Sequence, residues 1–145
     1  QVNSSAHTER GEDLAPTGAI LPSRGTIYDL RQARTMRDQT GAPVDYDIGM
    51  ALDTGRKHSD AIATVVSPAG DLTLKLWTDR PGVQVYNGVW TDIPVPGLNG
   101  KTYKKYSGLC LEDQNFADAV HNPHFPNVIH SPERPYSHWC DIEIA

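Results

Sequence analysis

Cysteine is scarce in this chain: Cys110 and Cys140 are the only two in 145 residues. Two cysteines make no disulfide framework, and each has apolar neighbours, so a pair of buried free thiols is expected. Free thiols favour a reducing compartment, which makes the cytoplasm the expected location, with secretion or the periplasm as the alternative. Positive charge is also limited, with 13 Lys and Arg against 18 Asp and Glu and a formal net charge of -5. With no basic cluster and an isoelectric point near 5.6, neither a nucleic acid nor an anionic membrane is an expected partner. No apolar run reaches the length that crosses a bilayer. Residues Gln1–Ala6 have neither the charged start nor the apolar centre of a signal peptide, yet the chain does not begin with Met, so an upstream segment is left open. A phosphate-binding glycine loop, a dinucleotide fingerprint and a nucleophile elbow are all missing, which leaves nucleotide chemistry and covalent catalysis without support. No internal repeat and no low-complexity tract is found.

What is present is a period of two. Tyr46, Ile48, Met50 and Leu52 alternate with Asp47, Gly49, Ala51 and Asp53. Ala61–Ser67 is rich in β-branched residues, and Pro68–Asp71 reads as a turn. Leu72, Leu74 and Leu76 alternate with Thr73 and Lys75, which predicts a hairpin. Val83–Tyr86 alternates again and ends at Asn87-Gly88, and Tyr136–Ile144 is expected as a closing strand. Leu72, Leu74, Leu76, Val83, Val85, Leu109 and Leu111 are the predicted buried positions. Residues 1–25 read as an extended, loop-rich lead-in, and Asp29–Met36 as a short helix. With 12 Gly and 11 Pro, short strands joined by Gly/Pro turns predict an all-β sandwich.

Three polar positions stand out on these strands. In Ser107–Gln114, Leu109 and Leu111 point to one side while Cys110, Glu112 and Gln114 point to the other. Glu112 there is either a satisfied structural carboxylate or a general base. Asp47 shares its side with Gly49 and Ala51, small residues that leave room for a ligand or a close neighbour, although spacing alone favours a solvated edge. Gln84 and Tyr86 form an amide–phenol pair suited to sugar hydroxyls or to a solvated face. His121, His124 and His130 fall in a Pro-interrupted loop without metal-ligand spacing, so they are expected to be ordinary loop histidines and no metal is expected.

Taken in order, these segments resemble the C-terminal part of the aldose 1-epimerases. Ser107–Gln114 is similar to that family's Gly-Phe-Cys-Leu-Glu-Thr-Gln strand, and Asn122–Pro126 to its Pro-Asn-Phe-Pro loop. Gln1-Val-Asn3 resembles Leu-Gln-Ile-Asn, Leu14–Gly18 resembles Leu-Ile-Pro-Thr-Gly, and Gly25–Arg31 resembles Gly-Thr-Pro-Phe-Asp-Phe-Arg. Tyr46-Asp47 is similar to the start of Tyr-Asp-His-Asn, and Pro81–Tyr86 with Gly88 to Pro-Gly-Val-Gln-Phe-Tyr-Thr-Gly. The chain departs from the pattern at Ile48-Gly49, where the family often has His-Asn, and in the loop His121–Pro126.

The resemblance implies a large antiparallel β-sandwich, the galactose mutarotase-like supersandwich, of which residues 1–145 are the C-terminal part of a single domain. It implies interconversion of the α and β anomers of free aldoses such as galactose or glucose, without a cofactor. It assigns Glu112 as the general base and Asp47 and Gln84 as sugar-binding residues. The family's general-acid His lies upstream of residue 1, so the complementary N-terminal segment of the same fold is an expected partner. His138 shows nothing that would make it a substitute acid. The competing readings are a non-catalytic carbohydrate-binding sandwich and an interaction subunit that pairs through its sheets.

Overall fold

A computed structural model describes residues 1–145. The strands are β1 (Ala6–Arg10), β2 (Pro16–Pro22), β3 (Asp47–Ala51), β4 (Ala63–Val66), β5 (Thr73–Thr78), β6 (Gly82–Tyr86), β7 (Cys110–Gln114) and β8 (Cys140–Ile144), with a single 3-10 turn at Leu98–Gly100. They form a five-stranded sheet in the order β2-β1-β3-β6-β7 and a three-stranded sheet in the order β4-β5-β8. Every pairing is antiparallel. The all-β sandwich expected from the alternating segments is what the chain forms.

One apolar cluster joins the two sheets. Ile48, Met50, Val83 and Val85 from the larger sheet meet Ala63 and Leu76 from the smaller, with Tyr46, Leu52 and Ile62 completing the core. Because side chains alternate along a strand, burying one face commits the other face to point away from the core. The burial strings follow this rule: Ile48 and Met50 of β3 are buried between half-buried neighbours, and so are Val83 and Val85 of β6 beside Gln84 and Tyr86. The outer face of the larger sheet is thereby left to polar residues.

Where strands end, polar side chains hold them. Asn87 is buried just past β6; its side-chain oxygen accepts the Tyr46 N–H (3.1 Å) and its amide donates to the Val44 carbonyl (2.8 Å). The Tyr46 hydroxyl donates to the Ile27 carbonyl at 2.7 Å. Ser4 donates to the Ala51 carbonyl at 2.5 Å, and Asp53 accepts from the Ser5 backbone and hydroxyl at 2.8 and 2.6 Å. These bonds tie the first residues to the far end of β3.

Five sequence-based expectations need correction. Residues 1–25 are not a loop-rich lead-in but carry the β1–β2 hairpin. Asp29–Met36 forms no helix. There the Asp29 carboxylate accepts from Arg31 Nε and Nη2, on one edge of the guanidinium, at 2.8 and 2.7 Å, and the Leu30 carbonyl accepts from Val2 instead of from a following helical turn. The closing strand is confined to Cys140–Ile144, with Tyr136–Trp139 as a loop before it. Among the predicted buried residues, Leu76, Val83 and Val85 are buried and Leu74, Leu109 and Leu111 half-buried, but Leu72 is 50% exposed. It sits in the turn before β5, where its backbone N–H donates to the Ser67 hydroxyl at 3.1 Å and its carbonyl accepts the Ser67 N–H at 2.8 Å, beyond the part of the sheet that the core covers. Cys110 is exposed, on the outer face of an edge strand, while Cys140 is half-buried; both are free thiols.

Candidate functional site

The register of the larger sheet brings the three singled-out residues to one face. Gly49 lies opposite Gln84, and Gln84 opposite Glu112; the next row outward is Asp47, Tyr86 and Cys110. Thr8 and Arg10 on β1 share this outer face, while His7, next to Thr8, turns into the core. Apart from Cys110, the residues on this face line an open cleft of about 440 Å³ that also reaches Leu14, Gln114 and Ala117. Its volume falls within the range of small-ligand sites.

Asp47 is not the solvated edge residue that spacing suggests, because β3 is the central strand of its sheet. Its Oδ1 accepts from Gln84 Nε2 at 2.7 Å. Its Oδ2 receives Arg10 Nη1 at 3.1 Å and the Trp90 indole N–H at 3.3 Å. A carboxylate anchored this way has a fixed orientation and keeps limited capacity for one more donor. The room beside Gly49 is filled by Thr8: a Cβ at Gly49 would lie 2.7 Å from the Thr8 hydroxyl and 3.4 Å from Gln84 Oε1. Thr8 itself donates to the Gly49 carbonyl at 3.2 Å. Glycine here sets the depth of the cleft floor.

Glu112 differs from Asp47. It is exposed, two strands away, and none of the hydrogen bonds of the molecule uses its carboxylate. Sheet spacing puts the Cα atoms of Glu112 and Asp47 about 12 Å apart, which leaves space for one sugar ring between the two side chains. The cleft thus has an anchored carboxylate at one end, a free carboxylate at the other and an amide between them.

Its neighbour Asp113 faces the opposite way, into the space between the sheets. Asp113 Oδ2 accepts from the Thr78 hydroxyl at 2.5 Å and pairs with His138 Nε2 at 2.6 Å. Burial pushes this carboxyl up, but the bonds from Thr78 and His138 and the charge of His138 outweigh it and hold the group below the ordinary aspartate range. The sign follows from linkage: a carboxylate lowered in the folded state stabilises above its unfolded pKa, and that contribution disappears as pH falls through the folded value. Asp113→Asn should therefore lower the urea midpoint at pH 5, with the gap to the parent protein closing as pH is taken below about 4. A gap that persists unchanged down to pH 2 would refute this. Burial and the nearby Asp113 charge push the Cys140 thiol up, so this cluster holds no activated thiolate.

No histidine lines the cleft. His138 is committed to Asp113 on the far side of β7. His124 binds the Gly18 carbonyl at 2.8 Å and stacks on the buried Phe125, locking the Asn122–Pro126 loop against β2. His121 pairs with Asp118 at 2.5 Å. These are loop-fixing contacts, and no group of three His, Cys, Asp or Glu residues is placed to hold a metal ion. Sequence reasoning missed Thr8, Arg10 and Trp90. The alternation of Ala6, Thr8 and Arg10 around His7 was the available signal for the first two, and nothing local marked Trp90.

Comparison with known proteins finds similarity over nearly the whole chain. The family model described as aldose 1-epimerase matches residues 1–143. The galactose mutarotase of Homo sapiens is 36% identical over 150 aligned residues, covering 99% of this chain and 43% of that protein. The maltose epimerase of Levilactobacillus brevis is 30% identical, covering 90% of this chain and 38% of that protein. Among solved structures, the GalM/aldose epimerase homologue from C. elegans superposes with a TM-score of 0.79 at 25% identity, over 99% of this chain and 43% of that one. The chain thus spans less than half the length of these relatives. A family match from the first residue to Glu143, joined to the same sheet architecture, means that the chain belongs to the aldose 1-epimerase family.

Proposed function

We propose that this chain supplies the base-bearing and sugar-holding part of an enzyme that interconverts the α and β anomers of free aldoses. The observation that carries this reading is the pairing of an unengaged Glu112 with an anchored Asp47 across Gln84 on one cleft face. An aldose lying between them would place O1 at Glu112 and its remote hydroxyls at Asp47 and Gln84. The Glu112 carboxylate takes the O1 proton while an acid protonates the ring oxygen. The C1–O5 bond breaks, the resulting aldehyde turns about C1–C2, and the ring recloses on the other face with both protons returned. Asp47 and Gln84 contribute by holding the ring in register, and Arg10 and Trp90 by fixing Asp47.

The acid is the missing partner. None of the six histidines in the chain reaches the cleft, so we place the acid on the complementary N-terminal segment of the same fold. Galactose and maltose, named for the relatives, are the substrates to try first. Residues 1–145 alone should leave the exchange of fresh α-galactose at the buffer rate in a polarimeter, and the same residues completed by the complementary N-terminal segment should exceed it by orders of magnitude. Exchange by residues 1–145 alone would put the acid within this chain. Galactose binding by the completed fold without exchange would instead favour a carbohydrate-binding module.

A further inference from the structure

Trp90 lies in the segment between β6 and β7 and is 67% exposed, an unusual expense of aromatic surface beside a polar cleft. It is nevertheless fixed. Its backbone N–H donates to the Tyr86 hydroxyl at 3.2 Å and its indole N–H to Asp47 Oδ2 at 3.3 Å. The polar edge of the ring is tied down while its apolar faces stay open. The other two tryptophans are used differently: Trp77 donates to the Ser59 carbonyl and Trp139 packs on His58.

The position of Trp90 in the register decides what it can meet. The Gly49–Gln84–Glu112 row is the inner one, and the Asp47–Tyr86 row lies nearer the sheet end where β6 leaves and β3 begins. Trp90 follows β6 and hangs on that outer row, so it stands past Asp47, at the opposite end of the cleft from Glu112. A sugar with its anomeric carbon at Glu112 turns its non-reducing side toward Asp47. Any further ring attached there is directed over Trp90. Pyranose rings present flat C–H faces that pack on an aromatic plane, and a rigid indole offers large contact area at little conformational cost.

We infer that Trp90 is a specificity-determining platform for a second sugar ring, so that the site prefers reducing disaccharides to the corresponding monosaccharides. The inference rests on the placement of base and sugar proposed above.

The test uses this chain completed by the N-terminal segment proposed above, with maltose and glucose as probes, and reads the ratio of kcat/KM for maltose over glucose. Effects transmitted through Asp47 act on both sugars and cancel in the ratio. The parent ratio should exceed one. Trp90→Ala should lower it by roughly fivefold to tenfold, the scale of one aromatic packing contact, chiefly through the KM for maltose. Trp90→Phe keeps an aromatic face without the N–H and should retain most of the preference. An unchanged ratio in Trp90→Ala, or an equal loss in both variants, would overturn the platform. If neither sugar is exchanged, the mutarotation reading fails by itself, and calorimetric affinities then decide: tighter maltose than glucose with a margin that Trp90→Ala removes supports the platform, and equal or absent binding overturns it.

Discussion

In the proposed enzyme, with this chain completed by the N-terminal segment of the fold, replacing Glu112 by Gln is expected to slow anomer exchange by two to four orders of magnitude, the usual contribution of a positioned general base. The amide matches the carboxylate in shape but cannot accept the O1 proton. The fold should be untouched, because the Glu112 side chain points away from the core and its carboxylate takes part in no hydrogen bond. A urea midpoint within experimental scatter of the parent, combined with near-zero exchange of fresh α-galactose by polarimetry, is the expected pair of results. A variant that retains a near-parental rate would remove Glu112 from the mechanism, and the free carboxylate of the cleft would need another use.

The second large effect is on stability. Asn87→Ala should lower the unfolding free energy by about 2–6 kcal/mol, because it strips partners from a buried N–H and a buried carbonyl at about 1–3 kcal/mol each. Asn87 is 5% exposed and the adjoining Tyr46 is fully buried, so water has poor access to replace either bond. Against the total stability of a typical domain, about 5–15 kcal/mol, such a loss is severe. It also reaches the cleft, since Tyr46 immediately precedes Asp47 and its N–H is the one held by Asn87. Variants that fold should bind sugar more weakly as well as unfolding earlier in urea. A loss under about 1 kcal/mol would show that the two backbone groups find other partners.

The parts of the fold that were legible in the sequence are those with a greasy side. β3, β5, β6 and β7 each alternate apolar and polar residues because one face packs on the shared core, and the same alternation put Asp47, Gln84 and Glu112 on a common outer face. β1 and β2 lack that contrast. The buried residue of β1 is His7, whose Nδ1 meets the Ser23 hydroxyl at 3.0 Å and whose ring packs on Tyr28, so a polar residue occupies a core position and hides the period. Arg10 was lost with that strand. Leu72 failed for the converse reason: its pattern is right, but the covering layer ends before it. Asp29–Met36 shows helical spacing that a local ion pair and the demand of Val2 for the Leu30 carbonyl override. Trp90 had no local signature, since its value depends on Asp47, which lies 43 positions earlier in the chain.

Glu112 and Asp113 stand back to back on one strand, and this constrains how the chain can change in length. A slip of one residue would exchange the faces of every side chain on β7. It would send Asp113, too short and deprived of Thr78, into the cleft, and press Glu112 against the inner sheet. Composition and charge would be the same, and both sites would be lost. Insertions and deletions between β6 and β7 are therefore admissible only where slack can absorb them before Gly108, in the exposed stretch around Pro94–Lys101. The reading frame of the strand itself, more than the identity of any single residue on it, is what variation in this segment has to leave alone.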